Sequence, residues 1–170
     1  MKDIPAIRLR AMEPEDLDML YSLENDASLW HLGMTNEPYS RYVLHDYISQ
    51  SSSDIYIDKQ VRMMVENERG ETVGMVDLTN FNPKNLRAEV GIVIVANERQ
   101  KGYGQATLVA LHRYALSTLH LHQVYAVVPS DHTSCLRLFQ TCGYRQTALL
   151  PTWLYDGHDY HDAVLMQHLL

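Results

Sequence analysis

The order of apolar and polar residues along the 170-residue chain predicts closely spaced strands and helices. Residues 7–12 alternate between apolar and polar side chains, which indicates a first strand. Residues 14–24 and about 40–50 repeat apolar side chains at helical spacing, and Pro14 followed by Glu15 and Asp16 suits the start of a helix. The first third is therefore expected to run strand, helix, helix.

The central part changes to a period of two, which is typical of strands. Residues 61–66 and 72–78 flank a polar turn that contains Gly70, a pattern that predicts a hairpin. Residues 87–96 form a third strand, and residues 90–95 within it are almost wholly apolar. An apolar run of this kind predicts a strand that is buried on both faces.

Helices and strands alternate in the last part of the chain. The pattern predicts a helix over 104–119, a strand over 123–128 and a helix over 133–142 that ends at Gly143. Strands over 144–149 and 163–169 are expected to enclose a loop over 151–162. The chain shows no repeat, low-complexity tract or long linker, so we expect one domain of the α/β (α+β) class over residues 1–170.

Composition and charge exclude several classes of protein. With 46% hydrophobic and 21% charged residues the chain is typical of a globular protein, and no run reaches the roughly 18 apolar residues of a membrane span. The first residues lack the apolar core of a secretory leader, so we expect a cytoplasmic protein. A formal charge of −7 argues against nucleic acid as the main partner and favours a cationic substrate.

The cysteines and histidines do not predict a metal site. Cys135 and Cys142 are seven residues apart on a predicted helix, so we expect buried packing and no disulfide. The nine histidines include His120 and His122, and others between residues 158 and 161. None of these groups has a zinc-site spacing, and we expect histidines in solvent-exposed loops and no bound metal.

Residues 97–106 follow the predicted buried strand and precede a helix, so they form a strand-to-helix turn. Gly102 and Gly104 allow the backbone to curl and to direct successive N–H groups at an anion. The N-terminal end of the next helix adds positive potential, and Arg99 and Lys101 add cations. The turn is predicted to bind phosphate; a plain helix start with turn glycines is the alternative.

The motif in this turn separates one nucleotide-binding class from others. A Walker loop would need Gly-Lys-Ser/Thr, and the dinucleotide fingerprint would need a third glycine where Thr107 stands. Residues 99–104 instead match R/Q-x-x-G-x-G/A, which resembles the acetyl-CoA pyrophosphate loop of the GNAT family of N-acetyltransferases. The resemblance implies acetyl-CoA as co-substrate, bound by Arg99, Gln100, Lys101, Gly102, Tyr103, Gly104 and Gln105.

The resemblance extends over essentially the whole chain. The element order β-α-α-β-β-β-α-β-α-β-β is the GNAT order, which implies one mixed, mostly antiparallel sheet flanked by helices. Residues 128–144 resemble the family segment N-x-x-S/A-x-x-L-Y-x-x-x-G-F, with Cys135 at the small residue and Tyr144 at the aromatic one. The tail from Leu154 to Met166 is similar to the closing hairpin of the subgroup of spermidine/spermine and ribosomal-protein N-terminal acetyltransferases.

Two residues depart from the family pattern. The asparagine that contacts pantetheine is replaced by His132, and the tyrosine that often protonates the leaving thiolate is replaced by Phe139. By position in the motif, His132 and Cys135 are still expected to contact the co-substrate. Because Phe139 cannot donate a proton, Tyr144, Tyr155, His132, Cys135 or water would have to serve, and Tyr144 is our candidate.

Acetyl transfer from a thioester to an amine requires a neutral amine, a polarised carbonyl and a proton for the thiolate. Glu89 stands at the start of the apolar strand, where its carboxylate could take the amine proton; a carboxylate paired with Arg87 is the alternative. Free backbone N–H groups of Ile92, Val93 and Ile94 are expected to pair with pantetheine and to polarise the carbonyl.

The first two helices and the segment between them are expected to recognise the acceptor. Trp30, Glu37 and Tyr39 are similar in order to the entrance of polyamine acetyltransferases, and Asp77 falls where those enzymes carry a glutamate. Aromatic rings and carboxylates suit an alkylammonium, although aromatic residues on amphipathic helices also serve as core.

These features predict an acetyl-CoA-dependent N-acetyltransferase that attacks the thioester directly with a primary amine. A polyamine such as spermidine is the leading acceptor, and a homo-oligomer is possible. The alternatives are a protein N-terminal acetyltransferase and a catalytically degenerate module that only binds acetyl-CoA.

Overall fold

The structure, a computed structural model, describes residues 4–30, 37–52 and 54–170, so the first residues that we read for a secretory leader lie partly outside it. Its strands form one seven-stranded sheet in the order β1-β2-β3-β4-β5-β7-β6. The strands are β1 (Ile7–Arg10), β2 (Val61–Asn67), β3 (Thr72–Asn82), β4 (Arg87–Ile94), β5 (Gln123–Pro129), β6 (Arg145–Tyr155) and β7 (Tyr160–Leu169). The helices are α1 (Leu17–Glu24), α2 (Arg41–Gln50), α3 (Ile55–Asp58), α4 (Tyr103–Ser117) and α5 (Thr133–Thr141).

Strand pairing confirms a mixed, mostly antiparallel sheet. Strands β1 to β4 follow chain order and pair antiparallel. Strand β5 lies parallel to β4, and β7 returns between β5 and β6, antiparallel to both. The only parallel pair in the described sheet is therefore β4 with β5, at its centre.

Alternation along the strands divides the core between the two faces of the sheet. On β3, Val76 and Leu78 face the larger cluster, which includes Leu108 and Leu111 of α4 and Phe139 of α5. Its neighbour Met75 faces the smaller cluster, which is formed with α1 and α2 and includes Leu20, Leu44 and Met64. The larger cluster also includes Ile55 of α3, so α3, α4 and α5 pack on one face and α1 and α2 on the other, as expected for a central sheet.

Helices α2, α4 and α5 begin and end within two residues of their predicted bounds, whereas the helix predicted over 14–24 is a 3-10 turn over Pro14–Asp16 followed by α1 from Leu17. The Ser40 hydroxyl accepts a hydrogen bond from the Val43 amide at 3.1 Å and caps α2. Helix α4 begins within one residue of its predicted start and ends two residues before its predicted end, and Leu108, Leu111 and Ala115 are buried as predicted. Among the described residues, no helix combines the length and apolarity needed to cross a membrane.

Two parts of the sequence-based prediction were wrong. Helix α3 was missed because four residues give no helical period, although Asp54 caps it by accepting from the Tyr56 amide at 2.8 Å. The predicted loop 151–162 is mostly the arm of a hairpin, since β6 runs to Tyr155 and β7 begins at Tyr160. Strand β6 is an edge strand, where Pro151 is tolerated and exposure on both faces removes the alternation of apolar side chains.

Candidate active site

The parallel strands β4 and β5 diverge after three residue pairs. Pairing joins Arg87, Ala88 and Glu89 to the segment from Gln123 to Tyr125, yet β4 continues to Ile94 and β5 to Pro129. A wedge-shaped gap therefore opens between the two strands in the middle of the sheet. Backbone groups of both strands that would otherwise pair there are left free for an extended ligand.

The direction of the β4 backbone groups follows from one hydrogen bond. The Val95 amide donates to the Val73 carbonyl at 3.0 Å, on the β3 side. Because N–H groups alternate along a strand of regular register, Val93 also points to β3, whereas Ile92 and Ile94 point into the gap. Of the predicted backbone trio, the amides of Ile92 and Ile94 therefore face the gap and the Val93 amide faces β3; contact of these residues with pantetheine stays a prediction.

The turn after β4 has the conformation that its glycines predict. Gln100 and Gly102 both have left-handed backbones, with φ of 61° and 92°. Gly102 is the N-cap of α4, and a Cβ there would lie 2.8 Å from Cδ of Pro5. Both the positive φ and the close contact favour glycine. Arg99 folds back, and its Nε donates to the Ile94 carbonyl at 2.9 Å.

The amides of this turn are available to an anion. The first backbone hydrogen bond of α4 runs from the Ala106 amide to the Gly102 carbonyl at 3.0 Å. Within the described residues, the six amides of residues 100–105 have no hydrogen-bond acceptor in the protein. They coincide with the positive end of a 15-residue helix, an arrangement that favours an anion, and binding of phosphate by this turn stays a prediction. Lys101 adds a cation nearby and pairs with Glu98 at 3.1 Å.

Helix α5 lies against this turn. A Cβ on Gly104 would lie 3.0 Å from Cδ2 of Leu138, so the missing side chain lets α5 approach the first turn of α4. At the start of α5, Nδ1 of His132 accepts from the Cys135 amide at 3.4 Å and caps the helix. Burial raises the pKa of the Cys135 thiol to about 11, so it is a neutral packing residue at pH 7. Contact of His132 and Cys135 with the co-substrate stays a prediction.

Glu89 lies half-buried on β4, on the sheet face that carries α1 and α2. Its register partners are Thr79 on β3 and Tyr125 on β5. Asn80 Nδ2 donates to its Oε2 at 2.7 Å. The alternative pairing with Arg87 is not formed among the ion pairs of the described residues. Burial, and then the charge of Glu89, raise the pKa of Tyr125.

Asp77 lies on the same face as Glu89 but is already paired. Arg62 binds both of its carboxylate oxygens, Nε to Oδ1 at 2.7 Å and Nη2 to Oδ2 at 2.8 Å, and also bonds Glu24. Although burial favours a neutral guanidinium, the pair with Asp77 holds the pKa of Arg62 above its usual value. Gly91 stands opposite Asp77 with exposed backbone, so the floor beside Glu89 is open. Substrate binding by Asp77 stays a prediction.

The aromatic residues of the predicted acceptor segment are held by the end of α1. Nε1 of Trp30 donates to the Glu24 carbonyl at 2.9 Å. The Asn25 side chain clamps the backbone of Tyr39 with hydrogen bonds of 2.8 and 3.0 Å. Glu37 is exposed, and Tyr39 packs on the smaller core cluster. Glu24 therefore connects this segment to Arg62 and so to the floor of the site.

The structure places Tyr144 away from Glu89. Tyr144 belongs to the larger cluster on the opposite face of the sheet, and its hydroxyl lies 3.0 Å from Nε2 of His112. Burial raises the pKa of Tyr144, and Phe139 contacts it edge-on with ring centroids 4.8 Å apart. Proton donation by Tyr144 stays a prediction, beside this structural role. The alternative donor Tyr155 bonds the Gly157 carbonyl at 3.0 Å.

The sequence did not predict the contact of Asn80 with Glu89 or that of Arg62 with Asp77. The signal for Arg62 is an arginine inside an apolar strand, which needs a carboxylate on a neighbouring strand. Hairpin register supplies it, because Arg62 and Asp77 are Cα partners across β2 and β3. Asn80 gave no such signal, since its contact with Glu89 depends on an unusual backbone angle.

The sequence as a whole matches known acetyltransferases. A family model described as an acetyltransferase (GNAT) domain matches residues 6–145. The spermidine N(1)-acetyltransferase of Escherichia coli (strain K12) is 27% identical over 98% of this chain and 87% of its own length. The protein of the same description from Vibrio cholerae is 24% identical, over 94% of this chain and 91% of its own length.

Solved structures agree with the fold described above. Spermidine N-acetyltransferase from Vibrio cholerae in complex with CoA and spermine superimposes with a TM-score of 0.84 at 25% identity, covering 96% of this chain and 95% of that one. A dodecameric structure of the Vibrio cholerae enzyme superimposes with a TM-score of 0.80 at 26% identity, covering 96% and 93%.

Proposed function

This chain belongs to the GNAT family of acetyl-CoA-dependent N-acetyltransferases, and we propose that its acceptor is a primary amine of a polyamine such as spermidine. Binding of acetyl-CoA in the gap between β4 and β5 is supported by the free backbone edge of β4 and by the six unbonded amides of residues 100–105. An extended pantetheine arm adds to the edge of β4 through Ile92 and Ile94. The pyrophosphate binds the amides of residues 100–105, with Arg99 and Lys101 as neighbouring cations.

The transfer itself needs one base on the acceptor side of the gap. The amine nitrogen attacks the carbonyl carbon of the thioester, the new C–N bond forms and the C–S bond breaks. Glu89 accepts the proton that the amine nitrogen loses, directly or through water. A backbone N–H of β4 that points into the gap stabilises the negative charge on the carbonyl oxygen. The thiolate leaves with coenzyme A and takes a proton from a neighbouring group or water.

The acceptor site suits a flexible cation with several charges. Trp30 and Tyr39 offer aromatic faces, and Glu37 offers an exposed carboxylate. Because Arg62 already neutralises Asp77, we propose that Glu37 and Glu89 supply the free negative charge that an alkylammonium meets. The names of the relatives support a polyamine, and the dodecameric relative supports a homo-oligomer.

A panel of amines tests this proposal. Thiol release from acetyl-CoA is measured with spermidine, with butylamine and with a peptide that has a free N-terminus, and products are identified by mass spectrometry. We expect kcat/KM for spermidine to exceed that for butylamine by about 10-fold or more. The reason is that spermidine has further ammonium groups, which can pair with Glu37 and contact the aromatic rings. Glu37→Gln should lower kcat/KM for spermidine more than for butylamine.

Glu68→Gln is the matched control, because Glu68 is an exposed carboxylate in the β2–β3 turn. It should leave the preference for spermidine intact. A preference for the peptide would favour the protein N-terminal alternative. Binding of acetyl-CoA without turnover on any amine would instead support a degenerate acetyl-CoA-binding module.

A further inference from the structure

The β3–β4 ladder contains an irregularity beside Glu89. The register is regular through Thr79 opposite Glu89, shifts, and resumes with Asn82 opposite Arg87. Asn80 lies in the shifted part with a φ of 50°, in the left-handed region. Asparagine is one of the few residues with a side chain that adopts this conformation readily. The shift turns the backbone of β3 next to the proposed base.

The Asn80 side chain uses this turn to reach Glu89. Its Nδ2 donates to Oε2 at 2.7 Å, the hydrogen bond of normal length that Glu89 receives from a described side chain. This contact fixes one oxygen of the carboxylate. Glycine would satisfy the backbone equally well, but it would supply no donor.

The other charged and titratable groups around Glu89 do not fix it in this way. On β5 its register partner Tyr125 interacts with the Glu89 carboxylate through charge and a side-chain contact longer than a normal hydrogen bond. On its own strand Arg87 forms no ion pair with it among the described residues. On β3 the nearest acid on the same face, Asp77, is bound by Arg62. Asn80 is thus the described side chain that donates to the carboxylate at normal hydrogen-bond distance.

We propose that Asn80 is a positioning residue, which orients the Glu89 carboxylate towards the acceptor amine. This inference rests on the proposed function, in which Glu89 is the base. A donated hydrogen bond of 2.7 Å limits the rotation of the carboxylate and so holds it in one orientation.

The test is steady-state acetylation of spermidine by Asn80→Gly across the neutral pH range. Glycine keeps the backbone angle and removes only the donor. We expect kcat to fall on the order of 10-fold, with KM for acetyl-CoA within about twofold of wild type. Asn80→Asp, which removes the donor and sets a second carboxylate against Glu89, should lower kcat at least as much.

His120→Gly is the matched control, because His120 also has a positive φ of 54° and lies in the turn before β5. It makes the same substitution at a positive φ far along the chain and should leave kcat unchanged. An Asn80→Gly enzyme with wild-type kcat would overturn the inference. So would a higher KM for acetyl-CoA together with a lower unfolding free energy, because that combination indicates general damage.

Glu89→Gln separates failure of this inference from failure of the proposed function. If Glu89→Gln is slow and Asn80→Gly is not, Glu89 is the base and Asn80 does not position it. If Glu89→Gln acetylates spermidine at the wild-type rate, Glu89 is not the base, and both proposals for this carboxylate fail.

Discussion

The absence of a side chain at Gly104 affects both the turn before α4 and the packing of α5 against it. Its backbone belongs to the amides of the proposed pyrophosphate turn, and its missing Cβ gives room to Leu138 of α5 at 3.0 Å. Gly102 differs, because its backbone angle of 92° itself favours glycine. The two glycines of the motif are therefore required for different physical reasons, one for conformation and one for space.

Gly104→Val should weaken acetyl-CoA binding and lower the unfolding free energy by about 1–3 kcal/mol, because the branched side chain overpacks against Leu138. In wild type, saturating acetyl-CoA should raise the melting temperature, since a ligand at about 100 times its Kd stabilises the fold by about 2.7 kcal/mol. Thermal melts with and without acetyl-CoA measure both effects.

The double variant Gly104→Val/Leu138→Ala separates the two roles. Removing the Leu138 side chain gives the valine room, so it should recover part of the lost stability. It should not recover the acetyl-CoA shift if the turn itself needs a bare backbone. Full recovery of the shift would show that Gly104 serves only the contact between helices.

The sequence predicts site residues that are consecutive in the chain, but it does not predict contacts between residues that are distant in sequence. The phosphate turn is a run of consecutive residues, so its glycines and cations could be recognised together. Asp77 looked like a free substrate carboxylate because its partner Arg62 lies 15 residues away and meets it only through hairpin register. The contact of Asn80 with Glu89 needs a local shift in register, which no periodicity shows.

Among the elements, α4, β7 and the start of β6 meet in a cluster of aromatic and histidine side chains. His112 stacks on His168 with ring centroids 4.4 Å apart, and its Nε2 lies 3.0 Å from the Tyr144 hydroxyl. Burial, and then the charge of His168, lower the pKa of His112 to about 4. A neutral imidazole is therefore part of the packing between α4 and the last two strands.

This cluster should make stability depend on pH. The folded state holds His112 at a pKa of about 4, below the value near 6.5 of an unfolded histidine, so the unfolded chain binds more protons between these values. The contribution of His112 is present above about pH 6.5 and is lost as the pH falls towards 4; allowing for partial exposure, it is about 2 kcal/mol. Urea unfolding of wild type and His112→Gln between pH 7 and about 4 measures it.

The comparison with His112→Gln isolates this group from the carboxylates that titrate in the same range. The variant should be less stable at pH 7 and should lose less stability on acidification. Parallel curves for the two proteins would mean that His112 does not titrate as its burial implies.

The elements themselves were predictable where one face is buried. Helix α4 and strand β5 repeat apolar side chains with a clear period because one side of each meets the core, whereas β4 was recognised from an unbroken apolar run. Strand β6 has no such period, because it lies at the edge of the sheet with most of its residues exposed, so 151–162 resembled a loop. Helix α3 is too short for a period, and only its cap at Asp54 marks it.

In the whole molecule, the divergence of β4 and β5 determines where the proposed site lies. The gap brings the β4 backbone, the turn over residues 100–105 and the face that carries Glu89 into one region. No single segment of sequence contains this arrangement, because it depends on two strands that pair for three residues and then separate. The proposed sites for the co-substrate and for the acceptor therefore meet at the centre of the sheet.

Direct acetyl transfer from acetyl-CoA to a polyamine is tested by a rapid-quench single turnover with enzyme in excess over acetyl-CoA, started by adding spermidine. We predict that acetylated spermidine forms in an amount equal to the acetyl-CoA consumed, that the intact protein carries no acetyl group, and that Glu89→Gln slows the step by about 10²-fold or more near neutral pH. Direct acetyl transfer to spermidine would be contradicted if acetyl-CoA remained intact after spermidine was added, or if it were consumed equally fast without spermidine.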